Sequence, residues 1–272
     1  MLKQYRGLLF VLLLYLTVFS AVDHVKPANP ESYSPSLPLE MHQILSGYLH
    51  QINAERLLIK VKVFLGGLPE KSHPESYLES IHSDFSIAST LHPQFMDTYY
   101  IAESSMAWSP PKGTAFADNI LKNGIESRPD QWILPFFTAF NSFYLLKKPL
   151  DAIEPLQLAV DRGGPKSLSH LIIVLSANGG DIRAALFGLK VILASEDDPF
   201  KRKQYLAEMD IFNQALSVLH AIEQFKSDKG RYPVTLNQLI PDYIIALPDT
   251  GKLYEYQYKR PKLSLVQIKK RY

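Results

Sequence analysis

Apolar positions along this chain follow four distinct patterns. The first is an unbroken run. Gly7 to Val22 reads GLLFVLLLYLTVFSAV, sixteen residues without a charge, with Lys3 and Arg6 before it and Asp23 after it. As a helix rising ~1.5 Å per residue it spans about 24 Å, against a hydrocarbon core ~30 Å thick. The pattern predicts either a short transmembrane anchor or a secretory signal peptide, which share this layout. Val18-Phe19-Ser20 is a tolerable cleavage pattern; Phe19-Ser20-Ala21 is a poor one, because Phe19 is large. Basic residues ahead of the run hold the N-terminus in the cytoplasm. Both readings therefore place the chain beyond Asp23 outside the cytoplasm.

The second pattern follows a proline-rich stretch. Lys26 to Pro38, KPANPESYSPSLP, has four prolines and reads as an extended linker. From Leu39 to Phe64 apolar residues then recur at helical spacing, until Gly66-Gly67 stops them. One or two helices are expected there.

The third pattern repeats. A residue that is small in most copies is followed four positions later by a large apolar one, three later by another that is again mostly small, and about five later by proline. Ile81-Phe85-Ala88 ends at Pro93, and Ala117-Leu121-Gly124 ends at Pro129. Ala152-Leu156-Ala159 ends at Gly164-Pro165, and Ala185-Leu189-Ile192 ends at Asp197-Asp198-Pro199. The first members stand 36, 35 and 33 residues apart. Small residues let two helices approach closely, a large one fills the groove between hairpins, and proline ends the helix.

The fourth pattern is mixed. Phe200 to Asp228 carries a helical stripe through Tyr205, Met209, Phe212, Leu216, Leu219, Ile222 and Phe225, and Lys229-Gly230 closes it as helix ends prefer. Tyr254, Tyr256 and Tyr258 then alternate, as do Leu263 and Leu265, around Lys259-Arg260-Pro261-Lys262. That predicts a β-hairpin. Basic residues dominate this tail, which fits protection of an exposed strand edge.

The repeated set, with its period near 34, resembles the tetratricopeptide repeat. Phe140 to Leu146 (FNSFYLL) resembles the first helix of that family, and Leu150 to Glu154 its turn into the second. The resemblance covers about Glu75 to Pro199. Phe140 departs from it, because the family has a small residue there. The turn Ser109-Pro110-Pro111-Lys112-Gly113 carries extra residues. The stretch Gly230 to Leu239, with the long helix before it and the short sheet after it, is similar to the C-terminal half of type II secretion pseudopilins. The processed N-terminal helix of those proteins has no counterpart here. The expected fold is mainly α: an N-terminal membrane helix, a right-handed solenoid of tetratricopeptide-like α-hairpins, and a small C-terminal α+β segment with a β-hairpin. The boundaries read 1–24 for the anchor or signal peptide, 25–38 for the linker and 39–74 for the opening helices. Repeats occupy 75–199, and the long helix with its small sheet 200–272.

Charge and composition narrow the function. The net charge of +2 is accounted for by Lys3 and Arg6, so the body is neutral and offers no footprint for nucleic acid. There is no cysteine, which excludes disulfides, thiolate metal sites and a cysteine nucleophile. No G-x-S-x-G elbow, phosphate loop or H-E-x-x-H stretch occurs. His42 and His50 could share a helix face, with Glu40 or Glu55 beside them, but solvated helix histidines are far commoner than such a metal set. Glu196-Asp197-Asp198 falls where a helix-end turn is expected. The chain is therefore read as a binding protein, not an enzyme, with no cofactor and no metal.

In tetratricopeptide arrays the first helix of each hairpin lines the concave face. Carrying those positions over gives Tyr100, Ser104 and Trp108, then Phe137, Asn141 and Tyr144, then His170. Rings around one amide suit an extended peptide: they supply area, and the Asn141 amide reads the backbone. Trp132, Phe136, Phe140 and Phe143 are expected in the core. The lysine and asparagine set with which family members grip a C-terminal carboxylate is not reproduced.

The expectation is an extracytoplasmic scaffold on the inner (cytoplasmic) membrane, single-pass with its bulk facing the periplasm or exterior, or secreted if the first segment is cleaved. It docks a protein or peptide in its groove, in a secretion, pilus-like or envelope export assembly. The competing readings are a structural subunit that self-associates through its C-terminal sheet, and an enzyme without a recognisable motif.

Overall fold

The computed structural model describes residues 11–17, 20, 33–34, 36–68, 76–251 and 253–268. Residues 11–17 are helical, and the rest of the Gly7–Val22 run except Ser20 lies outside the described residues, so the anchor expectation falls mostly there. Among the described residues no helix is long and apolar enough to cross a membrane. The chain is mainly helical, with a small two-stranded antiparallel sheet near its C-terminus. It divides into two compact units, Met1–Ala88 and Ser89–Tyr272.

In unit one, α1 (Leu39–Ser46) starts after Pro38, and α2 (His50–Gly66) buries Ala54, Leu57, Leu58 and Val61 at helical spacing. Helix α3 (Leu78–Leu91) carries the unit boundary and buries Ile81, Phe85 and Ala88. The end of the proline-rich stretch does not run free. Tyr33 is buried, with its ring edge-on to Phe64 at 4.7 Å, and Phe64 is in turn edge-on to Tyr77 at 5.3 Å. The Tyr33 hydroxyl donates to Asp84. Lys60 Nζ donates to the same carboxylate at 3.0 Å, to Ser34 O at 2.8 Å and to Ser36 Oγ at 2.9 Å, and lies 4.4 Å from the Tyr33 ring centre. Asp84 is fully buried. Such a charge persists only when paired and hydrogen-bonded, and here the partners come from the stretch itself and from α2. Burial and the Asp84 carboxylate push the Tyr33 phenol well above its ordinary range.

Unit two is a series of helices, each packed on its neighbour in the chain. They are α4 (Met96–Met106), α5 (Lys112–Ser127), α6 (Ile133–Phe140) continued by a π-turn (Asn141–Leu145), α7 (Ile153–Asp161), α8 (Ser167–Asn178), α9 (Ile182–Ser195) and α10 (Pro199–Lys229). The spaced residues of the sequence pattern are the contact points. Ala117, Leu121, Ala152, Leu156, Ala159, Ala185 and Leu189 are all fully buried. A Cβ on Gly124 would stand 2.8 Å from the Tyr99 ring and 2.9 Å from Leu134, so α5 is in close contact with both neighbours there. A ladder of side-chain bonds repeats with the same period. Arg128 Nη1 donates to Gln94 O at 2.6 Å. Thirty-four residues on, Arg162 Nη1 donates to Arg128 O at 3.3 Å, and its Nη2 to Ile125 O at 3.0 Å. Each arginine supplies donors to carbonyls that the end of the preceding hairpin leaves open.

Helix α10 begins where Asp198 accepts from Phe200 N at 2.9 Å with Pro199 at its first position, and it ends at Gly230 with φ 67°. It shares one core with α8, α9, a 3₁₀ turn at Leu236–Leu239 and the hairpin of β1 (Tyr254–Lys259) and β2 (Lys262–Gln267). The register pairs Tyr256 with Leu265 and Tyr258 with Leu263, around a turn at Arg260-Pro261 as expected. Gly180, at φ 84°, sits where a Cβ would come within 2.9 Å of Leu263 O, so the α8–α9 turn rests directly on β2.

The turn between α4 and α5 supplies a test of close packing. A Cβ on Gly113 would lie 2.2 Å from the Met106 carbonyl oxygen, a backbone atom that cannot swing away, whereas one on Gly66 would meet nothing within 4 Å. Gly113→Ala is expected to cost about 2 kcal/mol or more in denaturant unfolding, and Gly66→Ala to be neutral or slightly stabilising.

Candidate functional site

Helix α4 turns Thr98, Tyr99, Ala102, Glu103 and Met106 inward, which leaves Tyr100, Ser104 and Trp108 along the opposite stripe at four-residue steps. Tyr100 is 42% exposed and Trp108, just past the helix end, 60%. From α6 and its π-turn, Phe137, Phe140 and Tyr144 meet these side chains. Tyr100 lies edge-on to Phe137 at 5.8 Å. Trp108 stands 6.2 Å from both Phe140 and Tyr144, and Phe140 stacks on Tyr144 at 4.9 Å. The two groups are joined through the half-buried Phe136, 6.3 Å from Phe137 and 6.5 Å from Phe140, into one cluster from two consecutive hairpins, in which Tyr100, Trp108 and Tyr144 are exposed. Each such pair is worth ~0.5–1.5 kcal/mol beyond its buried area.

Four of the seven expected groove residues, Tyr100, Trp108, Phe137 and Tyr144, belong to this cluster. Ser104 is exposed, on the same stripe of α4 between Tyr100 and Trp108, and its hydroxyl bonds back to Ile101 O. Asn141 differs from expectation. It is fully buried, and its Nδ2 donates to Glu103 Oε2 at 3.1 Å and to Asp118 Oδ1 at 2.7 Å. Its amide joins α4, α5 and the π-turn and is not offered to a ligand. His170 is also elsewhere. Its Nε2 pairs with the buried Glu208 of α10 at 2.8 Å, and its ring lies against Tyr205. The long helix thus covers the position that would have continued the groove.

The four aromatics expected in the core are half-buried instead. Trp132, Phe136 and Phe143 pack against the cluster of Ala139, Ala152, Leu156, Ala159, Leu168 and Leu175. Phe140 joins the surface rings. The chain opens into the wider π-turn at the residue after it. π-bulges of this kind recur at functional sites. At the end of the turn Lys147 adopts φ 59°, a conformation that favours glycine, and its ammonium lies 4.8 Å from the Tyr144 ring centre. Neither the buried amide nor this lysine gave a sequence signal. The carboxylates are spread over two helices and Asn141 over a third.

Below the rings, Glu103 and Asp118 share one amide. Burial raises the Glu103 carboxyl to about 7, against the lowering effect of its bond from Asn141, and the neighbouring Asp118 raises it further. Burial raises Asp118 to about 6. The arrangement holds a proton near neutrality, but the amide occupies both acids. Among the described residues no group of three or more His, Asp or Glu could hold a metal, and His42 instead meets the Asn53 amide at 2.9 Å.

Because both folded-state values stand above the ordinary carboxylate values, this pair contributes stability that is fully present below pH ~4. That contribution is lost as the pH rises through 6 to 7. Glu103→Gln keeps an acceptor for Asn141 and removes one titration. The variant is expected to unfold at higher denaturant than the parent at pH 8, by about 2 kcal/mol, and to match it near pH 4.5. Parallel stability curves for the two proteins across that range would count against the buried-proton assignment.

No protein-family model, no curated protein and no solved structure matches this chain.

Proposed function

We propose that this chain is a membrane-anchored, extracytoplasmic helical-repeat scaffold that docks a protein or peptide on the ring cluster of α4 and α6. The observation that carries this reading is the cluster itself. Five aromatic side chains converge on one face, and Trp108 and Tyr144 remain 60% and 45% exposed. Aromatic residues of this kind anchor protein interfaces, because rigid rings bury much area at little entropic cost. The left-handed Lys147 supports the reading: a strained, charged residue kept beside an exposed ring is the kind of outlier that clusters at binding sites. The tetratricopeptide-like solenoid is supported by the regular small-residue contacts and by the arginine ladder of period 34. The anchor reading rests on the uncharged run and its basic flank. A place in a secretion, pilus-like or envelope export assembly rests on the pseudopilin-like end alone.

The test is affinity capture of the full chain from membranes, comparing parent, Trp108→Ala and Tyr144→Ala. Both variants are expected to lose co-captured protein about tenfold or more, with melting temperatures within ~2 °C of the parent, since each truncates an exposed ring. Undiminished capture by both would overturn the ring cluster as the docking face. Lys147→Gly separates strain from binding. Glycine relieves the left-handed conformation, so stability should rise by roughly 0.5–1 kcal/mol while capture weakens. A loss of stability instead would show that Lys147 is there to hold the turn.

A further inference from the structure

Unit one is apolar on two faces. Ala54, Leu57 and Val61 of α2 are buried within it. On the outer side Met41, Ile44, Leu45 and Tyr48 follow one stripe of α1 and its turn, and Ile59 and Val63 one stripe of α2. Ile44 is 79% exposed and Val63 70%. Exposed apolar residues on soluble surfaces are scattered singly; a contiguous set marks a contact.

The position of this face in the chain says what contacts it. Tyr33 is fixed to unit one by Phe64, Asp84 and Lys60. From Val22 to Tyr33 is eleven residues, which at ~3.5 Å each reach roughly 40 Å at most. On the anchor reading, on which this inference rests, unit one is held within that distance of a bilayer. Exposed Arg56 and Lys62 lie beside the α2 stripe, with the exposed Glu55 on the same side as Lys62.

A cleft of about 340 Å³ opens on the same face, walled by Leu37, Leu45, Leu49 and Ile52. His42 lines it and is only 4% exposed. Arg56 donates to Asn53 Oδ1 at 3.2 and 3.1 Å, which fixes the Asn53 amide with its NH₂ towards His42 Nδ1, 2.9 Å away. With Nδ1 accepting, the ring proton sits on Nε2, which is buried and has no partner. Ser46, Asn53 and Arg56 also line the cleft, yet the Nε2 donor has no acceptor oxygen, and an interfacial lipid supplies one together with alkyl chains. We propose that the α1–α2 face lies on the bilayer surface, its stripe at the acyl boundary and the His42–Arg56 cleft taking a lipid headgroup oxygen.

The chain has no cysteine, so single labels are unambiguous. Ile44→Cys and Ile59→Cys, with exposed Glu126→Cys of unit two as control, are made in the full chain. Each carries an environment-sensitive fluorophore and is reconstituted into phosphatidylcholine–phosphatidylglycerol vesicles. The face labels are expected to shift to the blue and to be quenched by spin-labelled lipid about threefold more than the control. Alkaline washing of the vesicles reads the anchor separately. Water-like face labels on a chain that stays in the pellet overturn the bilayer face and leave the anchor standing. Blue-shifted labels that lipid does not quench mean that protein, a second copy included, covers the face, and also overturn it. Release into the wash overturns the anchor reading. The face is then upheld if quenching by added vesicles persists and overturned if it does not.

Discussion

The structure of unit two depends on how closely consecutive helices can approach. Side chains that end at Cβ or have none, at Ala117, Gly124, Ala152, Ala159 and Ala185, mark the contact points. At Gly124 no methyl group would fit between the helix and Tyr99 or Leu134. That approach has consequences further out. It lets the Tyr99 ring approach α5 at Gly124 with its hydroxyl on Pro93 O, and it brings Arg128 and Arg162 within reach of carbonyls one hairpin back. It also sets α4 and α6 close enough for Tyr100 to meet Phe137. A larger residue at the contact would separate the rings as well as the backbones, so packing and the candidate binding face have one cause.

Asn141 adds a second constraint on top of that packing. One amide nitrogen satisfies acids from two helices. Its own Oδ1 is buried without a partner among the described residues, and both carboxyls are held in a medium that disfavours their charge. An apolar trio would avoid these costs. What the polar trio provides is direction: hydrogen bonds fix the rotation of α6 about its axis, where apolar contacts tolerate slippage. The rings of Phe137, Phe140 and Tyr144 radiate from that fixed segment. Local rules are broken together at this point, with a π-turn, a buried polar cluster and a left-handed lysine. Such concentrations accompany sites where something other than stability is served.

The small-residue lattice was legible in the sequence because it rests on local spacing that a period near 34 makes redundant; an error at one hairpin is corrected by the others. The β-hairpin was legible for a related reason, since alternation over six residues and a basic turn leave one register that buries Tyr254, Leu263 and Leu265. Asn141 was misplaced because the acids its amide meets, Glu103 and Asp118, lie on two other helices that its own spacing does not reveal. His170 was misplaced because its partner, Glu208, lies on a helix beyond the repeats. Tyr33 looked like one polar-stretch residue among many until Phe64 and Asp84 were in place. The arginine ladder did leave a trace, since Arg128 and Arg162 stand 34 residues apart, close to the 33 to 36 residues that separate the repeated sets. Conformations that depend on a distant partner leave none.

The two exposed apolar surfaces differ in kind, and the difference bears on what each can bind. In the ring cluster of unit two the exposed groups are Tyr100, Trp108 and Tyr144, and each carries a polar edge that can bond a backbone or water while the ring face buries area. Such groups remain soluble when unoccupied and suit a partner that comes and goes. In unit one, Ile44, Leu45, Ile59 and Val63 are aliphatic, with no polar atom beyond the backbone. Nothing but removal from water stabilises them, at roughly 25 cal/mol per Å², so their partner has to be permanent and without directional demands. If the proposed anchor holds, a bilayer within reach of a short tether meets both requirements, while a transient protein ligand meets neither. On the two proposals together, the same chain carries one surface held against lipid and another left open for exchange.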